Sequence, residues 1–174
     1  MRHPDHPAHP PTTRRARPVV AAARIGAFLV TVGACVVVAA HGNVTPQAVD
    51  TTGLDPVGEA WLNTNPYEGN AKAIEIGASG FNQNCARCHG LEAISGGIAP
   101  DLRRLDNDCA TMADKARRDA CVKDNDDYMI TTVRHGRSRN GAVYMPPFEG
   151  VLSQEAMWAI KTYLESRREK PLPQ

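Results

Sequence analysis

Two cysteines and a histidine lie close together in the stretch NQNCARCHG, residues 82–90, of a chain that has five cysteines in all. Cys85, Cys88 and His89 form the pattern Cys-x-x-Cys-His. Thiols at this spacing can reach the two vinyl groups along one edge of a porphyrin, while the adjacent imidazole binds the iron. The pattern predicts one covalently attached haem c, with Cys85 and Cys88 as thioethers and His89 as an axial ligand.

Two other kinds of site also use paired cysteines, a thioredoxin-like redox couple and one half of a zinc site. A redox couple of that kind follows a buried strand in a βαβ unit, and the sequence shows no such pattern. A zinc site would need two further ligands. The remaining candidates form no matching second motif: His41, His135, Cys109 and Cys121. Haem attachment is therefore the favoured interpretation.

Met145 is the favoured candidate for the sixth ligand of the iron. It lies in NGAVYMPPFEG, where the prolines at 146 and 147 forbid helix and would hold the thioether in a restricted loop. His135 is the rival, because iron bound by two histidines is possible, but it lies at a predicted helix end. A His/Met pair leaves no open coordination position, so we expect electron transfer and not substrate chemistry.

The imidazole of His89 needs an acceptor for its other ring N–H, because this hydrogen bond fixes the orientation of the ring. The carbonyl of Pro100, in the stretch GGIAPDL, is the predicted acceptor, since a proline stiffens the turn that carries it. Pro100 therefore belongs to the predicted site as a residue that orients the ligand.

Residues 1–40 have the character of an export signal. The sixteen residues IGAFLVTVGACVVVAA, 25–40, are apolar or small, follow several arginines and end in a small-residue cleavage pattern before His41. A membrane anchor is less favoured, because a span needs roughly 20 such residues. A lipid on Cys35 is also disfavoured, because the apolar run continues beyond it. We predict a signal peptide over 1–40, no stable membrane anchor and a location in the periplasm.

Cys109 and Cys121 are separated by eleven residues in the charged stretch CATMADKARRDAC. An exported protein meets an oxidising environment, so a disulfide between them is expected. In the loop-closure model it would contribute on the order of 3 kcal/mol. The bond would pin an otherwise charged and flexible insert, and a redox-active pair is the alternative.

The charge of the chain excludes one large class of function. Residues 1–40 hold five arginines and one aspartate, which leaves 15 basic and 18 acidic residues from His41 onward. No basic face remains for a nucleic acid. We therefore expect no nucleic-acid partner.

The rest of the chain divides into an arm, one domain and a tail. Residues 41–69 are rich in proline and glycine and show no lasting periodicity, so they predict an extended arm with Trp61 as its anchor. Residues 70–168 carry the haem motif and the helical patterns and form the predicted domain. Residues 169–174 remain as a tail.

Three helices are predicted in this domain, and no strand of any length. The first spans residues 70–84 and carries Gly77 on its apolar stripe, which invites a closely crossing partner. The second spans residues 126–134. The third begins after the N-cap Ser153 and ends near residue 168.

Taken together, these motifs resemble the class I cytochromes c. The resemblance rests on Phe81 before the haem motif, on residues 85–89, on Pro100-Asp101-Leu102, on Met145-Pro146 and on Tyr163-Leu164 in the last helix. It implies an all-α fold around one haem, in which the first and last helices cross beside the haem edge. Gly77 and Phe81 would meet Tyr163 there.

More narrowly, NPYEGN, the stretch IGASGFNQNCARCHGLEAISGGIAPDLR and the stretch RNGAVYMPPFEGVLSQEAMWAIKTYL are similar to the small soluble cytochromes c that serve periplasmic quinoprotein ethanol dehydrogenases. This resemblance implies a monomeric electron carrier that is not an enzyme. Its donor would be a quinoprotein (PQQ) alcohol dehydrogenase, and its acceptor a terminal oxidase or another cytochrome. The alternatives are a carrier for another periplasmic dehydrogenase or reductase, and a haem-based sensor or enzyme.

Overall fold

The structure is a computed structural model, and it describes residues 45–173. The predicted signal peptide, residues 1–40, and the first residues of the arm lie outside the described residues. Between residues 45 and 173, no helix is both long enough and apolar enough to cross a bilayer.

Helices dominate the described part of the chain, as the sequence predicts. They are α1 at Ala71–Asn84, α2 at Ala86–His89, α3 at Asn107–Ala110, α4 at Lys115–His135 and α5 at Gln154–Ser166. Short 3-10 turns lie at Leu91–Ala93 and Leu102–Arg104. Strands β1, Arg137–Arg139, and β2, Ala142–Met145, pair antiparallel as a hairpin. The predicted helical fold is confirmed, with this hairpin added to it.

The core is built where α1 crosses α5. A Cβ at Gly77 would overlap the carbonyl oxygen of Ala159, so only glycine allows the two backbones to approach this closely. Further along the same helix, the rings of Phe81 and Tyr163 lie 5.4 Å apart between centroids. The first and last helices therefore cross as the resemblance implies.

Helix α5 is the most deeply buried helix among the described residues. Ser153 caps it by accepting a hydrogen bond from the N–H of Ala156 at 3.2 Å. Ten of its thirteen residues are buried, and Met157 and Trp158 are completely inaccessible to solvent. The helix thus has no free polar face.

Lys161 lies in the middle of α5, and its charged side chain is completely buried. Its Nζ lies 2.8 Å from Asp126 Oδ1, 2.9 Å from Glu165 Oε1 and 3.5 Å from Asp106 Oδ2. Arg168 Nε adds a second cation, 2.6 Å from Asp106 Oδ2. Each charge of this cluster therefore has a partner of opposite sign, as burial requires.

The predicted boundary of the second helix was wrong, because α4 begins at Lys115 and not near residue 126. Asp114 caps the helix by accepting from the N–H of Arg117 at 2.8 Å. The Arg118 side chain donates to the carbonyl of Met112 at 2.9 Å, and Lys115 pairs with Asp119 one turn later. The first half of α4 is mostly polar, so it shows no apolar stripe from which the sequence could predict a helix.

The expectation of no strands was also wrong, because β1 and β2 form a short hairpin. Its turn is Asn140-Gly141, and both residues have positive φ, at 52° and 77°. This is the backbone that a tight type I′ turn requires, and Asn-Gly is its preferred sequence. Met145 is consequently the last residue of β2 and not part of a free loop.

The described part of the arm, residues 45–69, forms turns and contains no helix or strand. The side chain of Gln154 at the start of α5 holds it in place. Its Oε1 accepts from the N–H of Leu62 at 2.7 Å, and its Nε2 donates to the carbonyl of Ala60 at 3.1 Å. Trp61, between these two residues, is half-buried and packs against the core.

Candidate haem site

The Cys-x-x-Cys-His motif occupies the turn where α1 ends and α2 begins. The N–H of Cys85 still donates to Phe81 in α1 at 2.8 Å, and the N–H of His89 donates to the carbonyl of Cys85 at 3.0 Å. Gly90 follows with φ at 80°, and a Cβ there would overlap the carbonyl oxygen of Ile94. The close return of the chain below His89 therefore depends on glycine.

The thiols of Cys85 and Cys88 are free of any disulfide and half-buried. Burial and, to a smaller extent, the neighbouring Cys88 raise the pKa of the Cys85 thiol to about 12. A redox couple or a zinc site needs thiolates, which a lowered pKa would favour. The surroundings of Cys85 therefore disfavour its thiolate, whereas thioether formation would use the thiols of both cysteines.

His89 has the protonation that an iron ligand needs. Its Nδ1 lies 2.9 Å from the carbonyl oxygen of Pro100, and a carbonyl can only accept, so Nδ1 carries the hydrogen. Burial lowers the pKa of His89, while the hydrogen bond to Pro100 opposes this shift. The imidazole is thus neutral, and the lone pair of Nε2 is left for a metal.

The turn that carries Pro100 is itself held by hydrogen bonds. Ser95 Oγ donates to the carbonyl of Ala99 and accepts from the N–H of Gly97 at 3.0 Å. On the other side, Asp101 accepts from the Arg103 side chain at 2.7 Å. The hydrogen bonds from Arg103 lower the pKa of Asp101 to about 2. The acceptor of His89 therefore has a fixed position.

Met145 is half-buried at the end of β2 and packs against the core. Its backbone lies directly on Gly136, because a Cβ at that glycine would overlap the carbonyl oxygen of Met145 and touch Pro146. The rival ligand, His135, has a side chain that is 58% exposed, with Nε2 lying 3.4 Å from Glu149 Oε2. Met145 thus lies in a constrained segment, whereas His135 pairs with a carboxylate at the surface.

Large apolar side chains are exposed in the two segments next to these candidate ligands. Ile98 is 80% exposed, and the others are Leu91 and Ile94 after His89, and Val143 and Tyr144 before Met145. Exposed apolar side chains of this size suit contact with an apolar ligand. A porphyrin is such a ligand. The thiols, the neutral imidazole, the thioether and these apolar side chains fit a covalently held haem.

Cys109 and Cys121 are joined by a disulfide with 5.6 Å between their Cα atoms. Cys109 is completely buried, and Asn125 of α4 donates to its sulfur at 3.2 Å. The bond ties α3 to α4, so the insert is an ordered pair of helices and not a flexible loop. Within residues 45–173, no three side chains of His, Cys, Asp or Glu are grouped as a metal site.

Two glycines that serve the site were not singled out for this role from the sequence. Gly90 shapes the turn after His89, and Gly136 allows the Met145 segment to lie across the end of α4. The signal for Gly90 was its place directly after the motif. Gly136 follows the end of α4, and its contact with Met145 joins residues that are not neighbours in sequence.

The chain is similar in sequence to a known protein family and to known proteins. Residues 72–164 match the family model described as "Cytochrome C oxidase, cbb3-type, subunit III". The chain is 53% identical to "Cytochrome c550" of Pseudomonas aeruginosa over 131 residues, which are 73% of this chain and 81% of that protein.

A shorter similarity, 52% identity over 33 residues, links the chain to the "Quinohemoprotein alcohol dehydrogenase ADH-IIG" of Pseudomonas putida. It covers 19% of this chain and 5% of that protein. No solved structure matches the chain. From the family match and the identity to cytochrome c550, the chain belongs to the class I c-type cytochromes, which are electron-transfer proteins with covalently bound haem c.

Proposed function

We propose that this cytochrome is a periplasmic carrier that takes single electrons from a quinoprotein (PQQ-dependent) alcohol dehydrogenase and passes them towards a terminal oxidase or another cytochrome. The bound haem supplies reversible one-electron chemistry at its iron. The observation that carries the proposal is the constrained position of Met145, because a fixed sixth ligand closes the iron to substrates.

The residues of the motif have distinct roles in this proposal. Cys85 and Cys88 would form the thioethers, and His89 would bind the iron through Nε2. Pro100 keeps the proton on Nδ1 and fixes the plane of the ring. Met145 would bind on the opposite side, and a His/Met pair raises the reduction potential relative to two histidines.

The choice of an alcohol dehydrogenase as the donor has two supports. The first is the resemblance of long stretches of the sequence to soluble cytochromes that serve such dehydrogenases. The second is the short similarity to a quinohemoprotein alcohol dehydrogenase. The proposed periplasmic location rests on the signal-peptide pattern of residues 1–40, and the disulfide between Cys109 and Cys121 suits an oxidising compartment.

The donor is tested by mixing the oxidised cytochrome with a purified quinoprotein alcohol dehydrogenase and ethanol, and by following haem reduction in a stopped-flow spectrometer. We expect rapid reduction that depends on both the dehydrogenase and ethanol. Mixtures that lack either component are the controls. A quinoprotein dehydrogenase for a different class of substrate, supplied with that substrate, is the comparison. If it reduced the haem as fast as the alcohol dehydrogenase does, the choice of donor would be contradicted.

The sixth ligand is tested with Met145→Ala, and His135→Ala is the matched control. Loss of the thioether should abolish the methionine-to-iron charge-transfer band of the oxidised protein, open the iron to added ligands and lower the reduction potential. His135→Ala should leave all three unchanged. If His135→Ala caused these changes and Met145→Ala did not, His135 would be the sixth ligand of the iron.

A further inference from the structure

The segment after Met145 is fastened to the end of α4 by its backbone. The N–H of Phe148 donates to the carbonyl of Val133 at 3.0 Å, and the N–H of Glu149 donates to the carbonyl of Arg134 at 3.2 Å. Both acceptors are among the last carbonyls of the helix, which have no partner within it. Release of Met145 by a movement of this segment must therefore disturb the end of α4.

The side chain of Arg134 also binds the segment after Met145 to the end of α4. Its Nη2 lies 3.0 Å from Glu149 Oε1 and its Nε lies 3.3 Å from Glu149 Oε2, so the guanidinium binds both carboxylate oxygens. A forked pair of this kind has a defined geometry that a single ion pair lacks. The Arg134 side chain is only 21% exposed, which reduces its freedom further.

Trp61 of the arm contacts the same guanidinium. Arg134 Cζ lies 4.0 Å from the centroid of the Trp61 ring, at the distance of a cation–π contact. Gln154 binds the backbone on both sides of Trp61, at Ala60 and Leu62, and is itself 93% buried, with 7% of its surface exposed. The backbone that carries Trp61 is therefore held from α5 on both sides of the residue.

We propose that Arg134, held between Trp61 and Glu149, is a positioning residue that keeps Met145 on the iron. The inference rests on the ligation by Met145 proposed above. The segment of residues 145–149 opens only when Glu149 leaves the guanidinium or the guanidinium leaves the indole ring. The arm thereby controls how often the sixth position of the iron becomes free, although no residue of the arm binds the iron.

The test measures the binding of imidazole to the oxidised holoprotein, because added imidazole reaches the iron only when Met145 has left. Arg134→Gln removes the cation, Arg134→Lys keeps the charge without the fork, and Trp61→Leu removes the aromatic face. We expect Arg134→Gln and Trp61→Leu each to raise the apparent imidazole affinity about 5-fold, the size expected for losing a cation–π contact or a forked pair. Arg134→Lys should fall between wild type and Arg134→Gln.

Two comparisons separate positioning from a general loss of stability. Trp61→Phe keeps an aromatic face and should restore most of the wild-type affinity. Arg104→Gln removes a different exposed ion pair, with Glu169 at 3.1 Å, and should leave imidazole binding unchanged. Denaturant unfolding of every variant is measured in parallel, together with hydrogen exchange at the amides of Phe148 and Glu149, which should speed up in Arg134→Gln and Trp61→Leu.

Unchanged imidazole binding in Arg134→Gln and Trp61→Leu would overturn the inference. The inference would also be overturned if imidazole affinity rose in proportion to the loss of unfolding free energy, and did so in Arg104→Gln as well as in these variants. A wild-type protein without a methionine-to-iron band would overturn the proposed ligation and this inference together. A wild-type band with unaltered variants overturns the inference alone.

Discussion

The crossing of α1 and α5 should be most sensitive to a single methyl group at Gly77. The Cβ of an alanine there would overlap the carbonyl oxygen of Ala159 and would also crowd the N of Ile160 at 3.0 Å. Both are backbone atoms of a buried helix, so neither can turn aside as a side chain can. Gly77→Ala must therefore push the two helices apart.

The size of the effect follows from two opposing terms. An extra methyl group in a well-packed core costs about 1–3 kcal/mol, and the upper half of that range applies to a backbone clash. Alanine gains about 1 kcal/mol over glycine within a helix. We expect Gly77→Ala to lower the free energy of unfolding by about 1–2 kcal/mol, measured by guanidinium unfolding of the holoprotein with far-UV circular dichroism.

Gly80→Ala is the matched control, because Gly80 lies in the same helix and is also buried. Its Cβ would lie 3.2 Å from Ile160 Cγ1 and 3.2 Å from Val49 Cγ2, which are side-chain atoms that can shift. Here the gain in helix propensity should roughly offset the tight contacts. If Gly77→Ala proved as stable as Gly80→Ala, the close approach of the two backbones would be refuted.

Two further predictions concern the buried charges and the disulfide. Lys161→Met takes the paired cation from buried Asp126 and leaves Asp106 with Arg168 as its cation, and should cost about 3–5 kcal/mol at neutral pH. Burial would raise the pKa of Asp106, but Lys161 and Arg168 outweigh it and lower the pKa. The stability contributed by ionised Asp106 is thus present above its unfolded pKa and is lost as pH falls through the lowered folded pKa. In urea unfolding, the difference in free energy of unfolding between the wild type and Lys161→Met should shrink below about pH 4. A difference that does not change with pH would contradict this. Replacing both Cys109 and Cys121 by serine should cost about 3 kcal/mol without changing the haem spectrum, and a changed reduction potential would favour a redox role.

The helical fold and the haem motif could be predicted from the sequence because both are local signals. The pattern of residues 85–89 fixes the chemistry within one turn, and α5 has a clear cap at Ser153. The prediction of haem c is confirmed by the family to which the chain belongs. The assignment of individual ligands stays a prediction, which the imidazole and charge-transfer measurements test.

The errors arose where the sequence carries no apolar periodicity or where a local signal was passed over. The first half of α4 is held by its cap at Asp114, by Arg118 and by the disulfide, and these contacts leave no hydrophobic stripe. The hairpin was missed although Asn140-Gly141 is a strong turn signal, because β1 and β2 are too short and too exposed to show alternation.

The buried polar residues of α5 explain why the arm and the insert belong to one folded unit with the haem motif. Gln154 binds the arm at Ala60 and Leu62, Thr162 accepts from Asn65 Nδ2 at 3.0 Å, and Lys161 pairs with Asp106 beside the insert. A buried polar group without a partner costs free energy that a solvated one does not. These segments therefore supply partners that α5 requires, at sequence separations of 55 to 97 residues that no local pattern reveals. The other side of α5 meets α1 at Gly77, and α1 ends at the haem motif. Helix α5 therefore connects the haem motif to the arm and to the insert.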